Sequence, residues 1–183
     1  QRKSVGSGQV LQYPYTAEKA KLIVKEMTDL LVLDLVDKKM VAKQMVLTVG
    51  YDIDNLSDPE IKKKYHGEVT TDRYGRRIPK HTHGTITLSN PTSSTKIIMK
   101  SVEELYDRII NWDLLVRRIN ISAEGVVPED SIKNDQTYEQ LDLFTDYEAL
   151  EKEREQEKKD MEKEKRLQRA VLDLQKKFGK NAV

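Results

Sequence analysis

Cysteine is absent from the 183-residue chain. Disulfides, thiolate chemistry and Cys-ligated zinc are therefore excluded. No apolar run approaches the roughly 20 residues of a membrane span, and no signal-peptide pattern opens the chain. A Gly-rich phosphate loop and a nucleophile–base–acid triad are also missing, which leaves an independent hydrolase or metalloenzyme without support. Hydrophobic residues make up 37%, below the roughly 45–50% usual for globular chains, and charged residues 34%, above about 25%. Part of the chain must therefore be solvated and coreless. The chain starts Gln1-Arg2-Lys3 without a methionine, and we expect a piece cut from a longer protein.

Net charge is +1, but it is unevenly divided. Residues 1–127 hold 20 bases and 16 acids, residues 128–145 one base and five acids, and residues 146–183 eleven bases and ten acids. Three parts are expected: a domain over 1–127, an acidic linker over 128–145 and a charged helical tail over 146–183.

The patterned hydrophobics lie in the first part. A strand is expected over Ser4–Tyr13, stopped at Pro14. Thr16 caps a helix with Ala20, Ile23, Val24, Met27, Leu30 and Leu31 on one stripe. Gln44–Tyr51 alternates as a strand, with Met45, Leu47, Val49 and Tyr51 on one face. From Asp52 to about Lys80 a polar excursion reads as a loop or hairpin tip, with a short helix near Pro59–Tyr65. A strand follows over Thr82–Leu88, then a turn and cap at Asn90-Pro91-Thr92-Ser93. A second helix carries Ile98, Val102, Leu105, Tyr106 and Ile109, with Trp112 anchoring its end. The last strand, Leu115–Ala123, puts Arg117, Ile119, Ile121 and Ala123 on one face and Val116, Arg118, Asn120 and Ser122 on the other. The expected fold is α+β: a two-layer βαββαβ sandwich, four strands with two helices on one face, followed by a charged C-terminal helix. In that helix Leu167, Val171, Leu174 and Phe178 form a narrow apolar stripe, and Gly179 is the stop.

The sheet face away from the helices carries Ser4, Gly6, Thr48, Thr85, Thr87, Arg118, Asn120 and Ser122. Small, hydroxylated and basic side chains suit a polyanion backbone; an ordinary solvated face has the same look. Arg2, Lys3, Lys80, His81, His83 and Arg117 cluster nearby in the sequence. Arg73-Tyr74-Gly75-Arg76-Arg77 could grip a nucleic-acid backbone, stack on a base, or be a solubilising loop tip. His81-x-His83 is a weak metal pair without a third ligand. Asn90–Lys96 could hold an anion at a helix start, or simply cap it.

The sharpest motif is Gln140-Leu141-Asp142-Leu143-Phe144, an apolar cluster in an acidic linker. It resembles the sliding-clamp-binding peptide of bacterial replication and repair proteins. Gln140 would fill a polar pocket, Leu141 would pack at the rim, and Leu143 and Phe144 would anchor in a hydrophobic groove. The bland alternative folds these residues back on their own domain.

Lys3–Val10, Asp29–Val36, Val46–Tyr51, Pro79–Thr85 and Leu115–Ile119 together resemble the C-terminal region of a Y-family translesion DNA polymerase of the UmuC/DinB class. The UV-damage-repair branch of Gram-positive bacteria is the nearest likeness. The resemblance implies a little finger, or polymerase-associated domain, whose open sheet holds primer-template DNA, and a cytoplasmic protein acting in DNA damage repair. It implies phosphate contacts at Ser4, Gly6 and Ser7 on the first strand, Thr85 and Thr87 on the third and Arg118 on the fourth, to which the basic clusters add Lys3, Lys80, His83 and Arg117 as expected DNA contacts, with the bacterial sliding clamp as second partner. Catalytic carboxylates, and the magnesium they hold, would belong to a palm domain of the parent. This stretch would contribute neither catalytic residues nor a cofactor or metal site. A protein-interaction module working only through the Gln140 peptide and the charged helix is the competing reading.

Overall fold

In the computed structural model, residues 3–132 and 147–179 are described. The elements are β1 (Lys3–Tyr15), α1 (Ala17–Asp37), β2 (Met40–Tyr51), α2 (Asp54–Ser57), α3 (Pro59–Lys64), β3 (Val69–Thr71), β4 (Arg77–Pro79), β5 (Thr82–Thr92), α4 (Thr95–Ile109), β6 (Val116–Pro128) and α5 (Tyr147–Gly179), with a 3-10 turn at Glu129–Ile132. Four strands form one antiparallel sheet in the order β1-β6-β2-β5. β3 and β4 make a separate hairpin. The expected βαββαβ frame is present, with the excursion inserted between its second and third strands.

Alternation decides which face is covered. Met45, Leu47 and Val49 of β2 and Ile119, Ile121 and Ala123 of β6 are buried beneath α1 and α4. α1 supplies Ala20, Val24, Met27 and Leu31, and α4 supplies Ile98, Val102, Leu105 and Tyr106. Both helices begin on hydroxyl caps: Thr16 accepts from the Lys19 N–H and Ser94 from the Ile97 N–H. The Tyr106 hydroxyl donates to the Ala17 carbonyl at 2.5 Å, which ties the helices together, and burial pushes its pKa above the usual tyrosine range.

Several expectations need correction. β1 continues through Pro14 to Tyr15, because an edge strand can spare one donor. Leu30 is exposed rather than part of the buried stripe. β5 runs to Thr92 through an irregularity, so Asn90–Thr92 is strand and Ser94 is the cap. Trp112 is 44% exposed and meets Tyr106 edge-on. In β6, Gly50 faces Arg118 but Tyr51 faces Val116. That register shift places Arg117 in a bulge and buries Val116 fully.

The stripe expected on α5 docks only in part. Val171 packs against the core, but Leu167, Leu174 and Phe178 are exposed, while Gln168 and Leu172 are buried. α5 is held largely by polar contacts. Glu164 accepts from the Ser94 hydroxyl at 2.8 Å and the Lys96 N–H at 3.0 Å. Gln168 donates to the Ser93 carbonyl and the Thr95 hydroxyl. Lys165 pairs with Glu129, and Lys176 with Asp37 at 2.7 Å. The Lys176 ammonium lowers the Asp37 pKa. The positive end of α4 thus receives a carboxylate from the chain's own tail.

Gly84 marks where the layers meet most closely. A Cβ there would lie 2.8 Å from both Leu105 Cδ1 and Ile109 Cγ2. Gly84→Ala should destabilise by about 1–2 kcal/mol through overpacking, which lowers Tm by roughly 3–6 °C. Gly6→Ala meets nothing nearer than 3.4 Å and should leave Tm within about 2 °C. Circular-dichroism melts of the two variants measure the difference.

Candidate nucleic-acid interface

The second sheet face is built by cross-strand rows. Gly8, Asn120, Thr48 and His83 face one another across all four strands. Gly6, Ser122, Val46 and Thr85 make the next row, and Val10, Arg118 and Gly50 a third. Glu124, Gln44 and Thr87 share a further row, beside which Ser4 lies exposed. Directly paired residues project to the same side, so these rows are one surface.

That surface stays open. Ser4, Gly6, His83, Thr85, Thr87, Arg118 and Asn120 are all exposed. The polar anchors of α5 fall instead at the end of α1 and the start of α4, on Val36, Asp37 and Ser93–Lys96. Thr48 Oγ1 lies 2.7 Å from His83 Nδ1, and Gln44 Nε2 donates to Thr87 Oγ1 at 3.4 Å. Gly50 makes room for Arg118, whose Cβ lies 3.2 Å from where a Gly50 Cβ would be. The face is therefore rich in hydroxyl and amide groups and carries a positive charge at Arg118. Backbone approach is easiest over Gly6 and Gly8.

The structure separates the expected contact residues. Ser4, Gly6, His83, Thr85, Thr87 and Arg118 come together on the open face. Ser7 does not: it pairs with Ile121 and projects to the helix side. The Arg117 guanidinium donates to the Gln12 carbonyl at 3.1 Å and lies 3.9 Å from Asp52, at the sheet end. The Lys80 ammonium is 3.0 Å from Glu68, and Lys3 sits at the start of β1. Sequence alternation missed Glu124, a carboxylate on the same face that accepts from the Ser122 hydroxyl at 2.7 Å. Carrying the alternation past Ala123 would have revealed it. Gln140, Leu141, Asp142, Leu143 and Phe144 lie outside the described residues. Among the described residues, no three or more His, Asp or Glu side chains gather as a metal site, and no helix is long and apolar enough to cross a membrane.

The excursion is ordered from its base. Asn55 is fully buried; its amide donates to the Asp52 and Leu115 carbonyls at 2.9 Å and accepts from the Leu115 N–H at 2.7 Å. Ile61 and Tyr65 pack against the core, and the Tyr65 hydroxyl donates to the Glu68 carbonyl. At the far end Asp72 accepts from the Tyr74 N–H, the Arg76 N–H and Arg76 Nε. Burial opposes ionisation of Asp72, but the Arg76 and Tyr74 donors outweigh it and hold the carboxyl below its usual range. Gly75 takes φ +78° and closes the turn.

Comparison with known proteins bears on this geometry. No curated protein matches the chain. Among solved structures, a complex of beta-clamp processivity factor and little finger domain of PolIV is similar at 12% identity, covering 78% of this chain and 100% of that one, with a TM-score of 0.43. A Y-family DNA polymerase chimera of Dbh and Dpo4 is similar at 11% identity and TM-score 0.42, and a post-insertion binary complex of Dbh DNA polymerase at 10% and 0.39. Those matches cover 70% and 68% of this chain but only 30% and 29% of the two polymerase chains. The family model for the impB/mucB/samB family C-terminal domain matches residues 2–143, most of the 183-residue chain. The chain belongs to that family, and its βαββαβ sheet is the family's C-terminal domain.

Proposed function

We propose that the chain is the DNA-gripping little finger of an error-prone translesion polymerase, with the Gln140–Phe144 peptide tethering it to the bacterial sliding clamp. The observation that carries the DNA reading is the exposed four-strand face, whose hydroxyls, amides, glycines and Arg118 project from the side of the sheet opposite α1 and α4. Hydroxyl and backbone N–H groups position phosphates without reading bases, and Arg supplies charge. Lys3 at the strand start adds positive charge at the rim, while Lys80 and Arg117 near the sheet end are paired with Glu68 and Asp52 and would have to exchange those partners for phosphate. The chain holds primer-template during lesion bypass, while the parent's palm supplies catalytic carboxylates and magnesium. The clamp peptide raises local concentration at the replication site, in the cytoplasm.

Salt dependence tests the grip. With roughly 4–6 phosphate contacts, log K for primer-template should fall with log salt at a slope of about −4 to −5, read by fluorescence anisotropy of a labelled duplex. An affinity indifferent to salt, or no binding at low salt, overturns the reading. Arg118→Ala should weaken all sequences alike; a loss confined to one sequence would mean base reading instead.

A further inference from the structure

The 52–80 excursion is not needed to complete the sheet, and its chemistry differs from that of the face. Residues 59–81 hold seven Lys or Arg against three Asp or Glu in a chain whose net charge is +1. Lys62, Lys63, Lys64, Arg73 and Arg77 are exposed and enter no ion pair among the described residues. At the tip, Tyr74 is 76% exposed, more than any other large hydrophobic side chain among the described residues. The Arg76 guanidinium lies 5.2 Å from its ring centroid while Asp72 fixes the same Arg. An aromatic ring held out in water, braced by a tethered guanidinium, is a stacking platform. The Asx-type turn around Asp72 and the buried Asn55 base give that platform a fixed position.

Position along the sheet selects the ligand. β2 ends at Tyr51 and β5 begins at Thr82, so the arm leaves from the sheet end that carries Arg118, Gly50 and His83. Thr82 comes seven residues after Gly75, a reach of at most about 23–25 Å when extended. A nucleic-acid strand that runs beyond a duplex lying on the face meets lysines and arginines for its phosphates and Tyr74 for an unstacked base. We infer that the α3–β4 arm is a second nucleic-acid site, specific for unpaired DNA next to the duplex. This rests on the open face holding duplex, as proposed above. Duplex DNA has no free base face to offer a ring, so Tyr74 favours single strands whereas the sheet does not.

The test uses the whole chain and three labelled DNAs: a blunt duplex, the same duplex with a 5′ single-stranded overhang, and an oligo-dT strand. The unaltered chain should bind the overhang DNA more tightly than the blunt duplex. Tyr74→Ala should reduce affinity for the overhang DNA and oligo-dT by roughly 5- to 30-fold, the effect of one base–aromatic stack. Its blunt-duplex affinity should stay within about twofold, and Tyr74→Phe should behave as the unaltered chain. Arg73→Ala/Arg77→Ala should lose overhang binding as well while leaving the Asp72–Arg76 turn intact. Equal affinity for blunt and overhang DNA in the unaltered chain, or equal losses on both DNAs in Tyr74→Ala, overturns the inference and leaves the sheet reading standing. Failure to bind any of the three DNAs overturns both.

Discussion

Thr85→Glu should abolish most duplex binding without unfolding the protein. Thr85 is exposed on the open face, on the edge strand β5, opposite Val46 and one row from the Thr48–His83 pair. A carboxylate there faces the phosphates at close range, and like-charge juxtaposition costs several kcal/mol. We expect a loss of at least about 30-fold in primer-template affinity near 0.1 M salt. Because the side chain is solvated in the free protein, stability should change by no more than about 0.5 kcal/mol. Higher salt should narrow the gap between the variant and the unaltered chain, since screening shortens the repulsion. The matched control is Glu on the opposite layer, at exposed Leu22 of α1, which should leave DNA affinity nearly unchanged. Anisotropy titrations of both variants, with melts alongside, measure this. A Thr85→Glu chain that binds as well as the original would place DNA elsewhere.

The second large effect concerns the peptide. Leu143→Ala/Phe144→Ala removes both apolar anchors of the Gln140–Phe144 pattern. Hot-spot anchors cost about 2 kcal/mol or more each on truncation, so the pair should weaken binding to purified sliding clamp by roughly 100-fold or more. Duplex affinity should be untouched, because these residues lie beyond the sheet in the sequence. Surface plasmon resonance on immobilised clamp reads the first quantity and anisotropy the second. Retained clamp binding would make the peptide assignment wrong. Joint loss of both activities would show that peptide and sheet act as one unit.

The residues most legible in the sequence were those whose neighbours are local. Period-two alternation in Met45–Tyr51 and the Thr16 cap needed only the strand pleat and one turn of helix, and both are as expected. Val116 was placed on the open face because the bulge at Arg117, just after it, breaks an alternation that the sequence alone continues. Ser7 was a contact implied by the family resemblance alone, and the strand register turns it to the helix side. α5 was misread because its anchors are Glu164 and Gln168, polar groups whose partners on Ser93–Lys96 lie about 70 residues away. A hydrophobic pattern cannot announce a contact made through a helix cap. The arm was visible as composition, Arg73-Tyr74-Gly75-Arg76-Arg77, but the Asp72 turn and buried Asn55 that order it appear only in three dimensions. The open face was the most legible part of the site, since its threonines and serines are the polar half of the same alternation that builds the core.

Backbone amide shifts of the isotopically labelled chain, followed by NMR as a short primer-template duplex is added, test the central claim most directly. The perturbed residues should be Ser4, Gly6, Gly8, Thr48, Thr85, Thr87, Arg118, Asn120 and Ser122, with the outward residues of α1 and α4 unmoved. Shifts concentrated on α5 and the helix layer, with those strand residues silent, would contradict it.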